Sequence, residues 1–425
     1  SLGKDYSINI SNHFISMKVL FVNTSDLKGG AAIAAYRLMK TLNANGASAK
    51  MMVAEKLSDD KNVIQVGDTF QRNWSFYSER VNIFLRNRFT RNNLFDISTA
   101  KSGISITNRP EFKEADVIHL HWINQGMLSL DEIGRILSSG KKVVWTMHDM
   151  WAFTGICHHA GTCQNYTSSC GMCPFLSLPS TSDISYTTFL KKQKIYSKGH
   201  ISFVACSKWL KELASASPLA KGHSLVSVPN PIDTKEFHPM NKYSIRKDLN
   251  LPNNKKIVLF AAAKVSDRRK GIDYLIEAAN VLSKRGKGNI LFVVAGSDGA
   301  EISTQLSYSS YNMGYVDSNK MVELYNAADL FVTPSLQDNL PNTIMESMAC
   351  GTPCVGFNIG GIPEMIQHKS TGYVAKYKDA EDLANGISWV LEEADAETLS
   401  SNSREFVINN YSQDKVVKRY MDLYK

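Results

Sequence analysis

Short runs of apolar and β-branched residues alternate with longer stretches of helical periodicity, a rhythm that predicts parallel sheets covered by helices. Strands are expected at 18–22, 49–53, 117–120, 143–147, 202–206 and 225–228, and a second series at 256–262, 290–295, 330–333 and 353–357. Helices such as 272–283 and 319–326 separate the later strands. Between the two series, residues 229–252 carry Pro229, Pro231, Pro239 and Pro252 among lysines and asparagines, the composition of a domain boundary. The expected organisation is a tail over 1–16, a first domain over 17–233, a second over 234–406 and a C-terminal helix over 407–425. In that helix Val416, Tyr420 and Tyr424 share one face, able to pack back on the first domain. Each domain is predicted to be α/β, a Rossmann-like doubly wound sheet, and the carboxyl ends of the strands are expected to meet at a central cleft.

A chain of 425 residues suits two such domains, and 43% hydrophobic with 21% charged residues is enough to fill both cores. The net charge of +8 favours anionic partners, phosphates or acidic lipid surfaces, without calling for nucleic acid. No apolar run approaches the ~18 residues of a membrane span, so a cytoplasmic protein is expected, at most peripheral to the inner membrane face. Gly-x-Gly-x-x-Gly and the P-loop pattern are missing, which argues against a dinucleotide dehydrogenase and a P-loop hydrolase. Asp-x-Asp is missing too. A bound diphosphate would have to be neutralised by the chain's own cations.

Such cations stand after the 256–262 strand, where Lys264, Arg268, Arg269 and Lys270 precede Gly271. Charge-assisted bonds to phosphate contribute roughly 1.5–3 kcal/mol each, so two of these side chains could take a metal's place. Further on, Asp338-Asn339-Leu340-Pro341 leads into a helix with Glu346, ended by Gly351, with Pro341 expected at its first position. On one helix Asp338 and Glu346 would lie about 12 Å apart along the axis and roughly 80° apart around it. They can share a long ligand only if Asp338 is in the preceding loop. A nucleotide sugar fits: Glu346 on the ribose hydroxyls, amides near 339–342 on the pyrophosphate, Asp338 on the sugar, with the Gly360-Gly361 turn nearby.

These motifs, with K-G-I-D-Y-L-I-E-A from Lys270, A-A-D-L-F-V-T-P-S from Ala327, M-A-C-G-T-P-C-V from Met348 and V-P-N-P-I-D-T-K-E-F from Val228, resemble retaining glycosyltransferases of family 4, which have the GT-B fold. The resemblance, to the bacterial surface-polysaccharide type, runs from Met17 to the end. It implies transfer from a nucleoside diphosphate sugar to a saccharide or lipid-linked saccharide, with no cofactor for catalysis. Glu346 would bind ribose, Asp338 the donor sugar, and Lys270 with a second cation the diphosphate. The sequence departs in having Asp338 where Glu is usual, and in placing Lys264 six residues before Lys270 where an arginine five before is common. Two other readings share the architecture: an epimerase or phosphorylase, and a non-catalytic nucleotide-sugar binding module.

In the first half, Gly29 and Gly30 open a helix after the first strand, and the resemblance places them beside the diphosphate and the acceptor. His119 and His121 stand at the end of one strand, and His148 and Asp149 just after another. The resemblance matches His148 to a histidine near the donor sugar; His119 and His121 are expected on the acceptor side, and Asp149 is expected either to orient His148 or to contact the acceptor. Cys157, Cys163, Cys170 and Cys173 crowd one loop, open to a structural zinc, to disulfides or to buried free thiols. Residues 72–91 interleave Arg72, Arg80, Arg86, Arg88 and Arg91 with aromatic residues, a pattern that suits an anionic membrane surface or a helical hairpin with a buried aromatic core.

Overall fold

The computed structural model describes residues 17–425. The predicted tail lies outside them. Two compact units emerge: residues up to Val228 together with Val417–Lys425, and Pro229–Val416.

The first unit holds a seven-stranded parallel sheet of β1 (Lys18–Ser25), β2 (Ser48–Glu55), β3 (Val63–Gln65), β4 (Val117–Leu120), β5 (Lys142–Met147), β6 (Ile201–Ala205) and β7 (Ser224–Ser227), ordered β3-β2-β1-β4-β5-β6-β7. Helix α1 (Gly30–Ala44) crosses from β1 to β2, and α2 (Thr69–Arg86) follows β3. The second unit has six parallel strands, β8 (Lys256–Lys264), β9 (Ile290–Ser297), β10 (Ser310–Gly314), β11 (Leu330–Thr333), β12 (Cys354–Phe357) and β13 (Gly372–Ala375), ordered β10-β9-β8-β11-β12-β13. Helices α3 (Ile272–Lys284) and α4 (Asn342–Ala349) follow β8 and β11. Both sheets are doubly wound, because the strand order reverses after β1 in one and after β8 in the other. Ligands of such sheets bind where the order reverses, at the carboxyl ends of the strands.

The strands form because their residues are buried on both faces: every residue of β4, β6, β11 and β12 is buried. Sequence reading passed over β3, β10 and β13. The last two carry half-buried or exposed positions and weak apolar runs.

Two boundaries differ from the sequence reading. The division between units follows Val228, and the expected helix over 407–425 is two helices, α5 (Ala396–Tyr411) and α6 (Gln413–Tyr424). At Ser412 the backbone leaves helical geometry (ψ 143°), and Ile232 pairs with the break, accepting from Gln413 N and donating to Tyr411 O. Val416, Tyr420 and Tyr424 are buried, and the two tyrosines reach the floor of the first sheet.

Candidate active site

At the reversal point of the second sheet, the segment after β8 and the segment after β11 meet. Asp267 caps a single turn over Arg268–Lys270, and Gly271 closes it with φ 73°. A side chain at Gly271 would place Cβ 1.8 Å from the Pro334 carbonyl oxygen, so only glycine lets the two segments touch. Leu336 N donates to Arg269 O at 2.7 Å, and the Lys270 ammonium bonds Asp338 Oδ2 at 2.8 Å. Asp338 therefore sits in the loop before α4, as the long-ligand reading requires. Gly360 (φ 58°) presses on the other side of this loop, where a Cβ would lie 1.8 Å from Asp338 O. The acidic loop is thus clamped between two glycine contacts and tethered to the cationic turn.

Pro341 is the N-cap of α4 rather than its first residue, and no acidic side chain in the first turn offsets the positive end of that helix. Asn339 and Leu340 are buried beside it, and Gly361 precedes the short helix Ile362–Met365. Glu346 lies on α4, 9% exposed, accepting from the Tyr325 hydroxyl at 3.0 Å. Among the four cations, Arg269 is taken by Asp267 (2.9 Å) and Lys264 lies 3.7 Å from Asp298. Arg268 is exposed, with no ion-pair partner among the described residues.

In the first unit, a cavity of about 320 Å³ opens at the reversal point between β1 and β4, lined by Asn23, Thr24, Lys28, Gly29, Gly30, Glu55, Trp122 and Gln125. Gly29 (φ 92°) is the N-cap of α1 and Gly30 its first residue. Lys28 and Glu55 pair across the rim at 3.2 Å. Trp122 donates through Nε1 to Asp149 Oδ2.

Residues 241–406 match the family described as Glycosyl transferases group 1. An uncharacterized glycosyltransferase of Methanocaldococcus jannaschii is 26% identical over 335 residues, covering 74% of this chain and 84% of that protein. The second unit carries a group 1 glycosyltransferase domain, on a chain with the GT-B fold. The N,N'-diacetylbacillosaminyl-diphospho-undecaprenol alpha-1,3-N-acetylgalactosaminyltransferase of Campylobacter jejuni is 29% identical to this glycosyltransferase over 198 residues, 45% of the chain. The matched part spans 52% of that relative, about half its length. Two solved structures share the fold with 96% of the chain and 98% of their own covered. They are a sucrose-phosphate synthase from Thermosynechococcus elongatus (TM-score 0.67, 19% identity) and Anabaena HepE in complex with UDP and glucose (TM-score 0.63, 15% identity).

Beneath the first-unit cavity of the glycosyltransferase lies a histidine cluster. His119 is fully buried, its Nδ1 2.7 Å from the Tyr424 hydroxyl and its Nε2 2.8 Å from Thr146 Oγ1, which gives it a supporting place rather than one facing an acceptor. His121, also buried, approaches His148 Nε2 at 3.0 Å through Nδ1, while His148 Nδ1 lies 3.6 Å from Cys206 Sγ. Asp149 is bonded to three other groups. Its carboxylate accepts from Trp122, from the Trp151 amide and from His158 Nδ1 at 2.7 Å. Burial alone would raise its pKa, but His158, His159 and the Trp151 amide outweigh that and hold it below the usual range.

Burial pushes His119 and His121 well below 6.5 and His148 down to about 4, Asp149 opposing the last shift in part. All three rings are neutral in the folded protein at pH 7. Between about pH 6.5 and 4 the unfolded chain binds more protons than the fold, so this stability is complete above 6.5 and is lost on acidification. The melting temperature is expected to fall between pH 7 and pH 5, above the range where carboxylates titrate. A flat calorimetric profile over that interval would mean that the rings charge without cost in the fold.

The four loop cysteines line one small cavity, all as free thiols. They do not converge as metal ligands: among the described residues no group of three or more His, Cys, Asp or Glu side chains could hold an ion. Burial pushes Cys157 up to about 12 and Cys170 and Cys173 up to about 11, and Cys170 Sγ accepts from Gly155 N. Of the three readings the structure holds free thiols, with Cys157 and Cys173 buried and Cys163 and Cys170 half-buried. Sequence reading also missed Trp122 and Tyr325. Only its neighbour His121 pointed toward Trp122, and nothing local marked Tyr325 as the support of Glu346.

Proposed function

We propose that this glycosyltransferase moves a sugar, with retention at the anomeric carbon and without a catalytic metal, from a nucleoside diphosphate sugar to a hydroxyl of a saccharide or lipid-linked saccharide. The reading rests on the Lys270–Asp338 pair held at the β8/β11 reversal point, before a helix α4 whose start carries no acidic side chain and which bears Glu346. As the anomeric carbon gains oxocarbenium character, negative charge grows on the departing diphosphate. An ammonium has three donors and Asp338 engages one, so Lys270 can hold the donor sugar's carboxylate partner and a phosphate oxygen together. Arg268, unpaired, is the preferred second cation, with Lys264 the alternative. Glu346, fixed by Tyr325, faces the ribose hydroxyls. The departing phosphate oxygen takes the acceptor proton, so no separate base is assigned.

Two relatives support the choice of ligands: HepE was solved with UDP and glucose, and the Campylobacter protein is named for an undecaprenol-linked acceptor. A role in glycan biosynthesis follows from that chemistry. A panel of nucleoside diphosphates and their sugars, screened by thermal shift in EDTA, is expected to yield a stabilising donor whose shift Glu346→Ala removes. Proton NMR of the product should then show the donor's anomeric configuration. Inversion, or donor binding that requires a divalent ion, would overturn the proposal.

A further inference from the structure

Helix α2 is built inside out. Its inward face carries Ser75, Glu79, Arg80 and Ile83, and the Glu79–Arg80 ion pair is buried at 2.9 Å. Glu79 accepts from the amides of Thr99 and Ala100 at 2.8 Å each, and Arg80 donates to the carbonyls of Leu94 and Ile97. Arg80 is therefore not part of the cationic surface that the sequence suggested. The helix is anchored largely by polar bonds, and several of its apolar side chains point outward. Phe70 (74% exposed), Trp74 (65%), Tyr77 (61%), Val81 (53%) and Leu85 (52%) form one stripe. At 100° per residue they fall within about 80° of arc and run roughly 22 Å along the axis. Phe89 (68%) extends the stripe past the end of the helix.

Positive charge prevails around this stripe. From Thr69 to Phe95 the only acidic residue is Glu79, which is buried, with exposed Asp68 and Asp96 just outside, whereas Arg86 at the end of the helix and Arg88 and Arg91 beyond it are exposed. Aromatic rings with both apolar body and polar edge, next to more arginines than carboxylates, match the boundary of an anionic bilayer. We propose that α2 and residues 87–91 form a docking surface for an anionic lipid membrane, with the stripe in the headgroup region and the three arginines on lipid phosphates. This goes beyond the transfer reaction and does not depend on it. It would hold the enzyme on the surface where a lipid-linked acceptor is presented.

Co-sedimentation of the full chain with vesicles tests this directly. Binding is expected to mixed phosphatidylglycerol and phosphatidylcholine vesicles, weaker binding to phosphatidylcholine alone, and a decline with salt. Trp74→Glu combined with Leu85→Glu should lower the bound fraction about tenfold, and Arg86→Gln with Arg88→Gln and Arg91→Gln several-fold. Both variants alter exposed side chains, so unchanged melting would confirm that they fold. Absence of vesicle binding, or binding that both variants retain, overturns the proposal. So does a concentration-dependent dimer in light scattering that Trp74→Glu dissociates, since the stripe would then belong to a second copy.

Discussion

Lys270→Ala is expected to lower turnover by about a hundredfold or more, the loss seen when one preorganised stabiliser of developing negative charge is removed. The fold should persist. The Lys270–Asp338 bond is partly exposed at its lysine end, where such pairs contribute about 1 kcal/mol or less to stability. The clamp that places the turn is made instead by Gly271 on the Pro334 carbonyl and by the Leu336–Arg269 backbone bond, neither of which uses the side chain. Lys270→Arg keeps the charge in a larger planar head and should recover only part of the rate. Steady-state kinetics with the donor found in the thermal-shift panel measures all three proteins. Wild-type turnover in Lys270→Ala would remove the lysine from the reaction and with it the assignment of the site.

Gly360→Ala should be nearly as damaging by a different route. The residue holds φ 58°, which costs a non-glycine residue roughly 1–2 kcal/mol. The new Cβ would also lie 1.8 Å from Asp338 O, a clash with backbone that no rotamer can relieve. The loop bearing Asp338 must move, and a displacement of about 1 Å of a positioned group can cost on the order of a hundredfold in rate. Gly286→Ala is the control, because Gly286 has φ 74° but open space where its Cβ would be. Both variants should melt somewhat lower than the parent, whereas only Gly360→Ala should lose most of its turnover. Equal activity in the two would show that the loop tolerates the push and that Asp338 need not be held where it is.

Much of this was legible locally. The completely buried strands stand out because a parallel sheet covered on both faces needs unbroken apolar runs, as in β8 or β12. The Lys-Gly turn, the acidic pair and the double glycine were visible as motifs. The histidines were visible too, but not their places. His119 and Asp149 are claimed by Tyr424 and by Trp122 with His158, partners 305, 27 and 9 positions away. The cysteine spacing suggested ligands, yet among the described residues no group of side chains forms that could hold an ion.

By itself the sequence determined the two sheets, the reversal points where their chemistry gathers and the residue types available there, since burial and chain punctuation are local properties. Tertiary structure alone decided which groups meet. Lys270 and Asp338 are 68 residues apart and become neighbours only because β8 and β11 lie side by side. Arg80 and Trp74 share one helix, but buried backbone carbonyls draw the arginine inward while the tryptophan faces out. Periodicity reports that a helix has two faces; which of them is covered depends on what the rest of the chain brings against it.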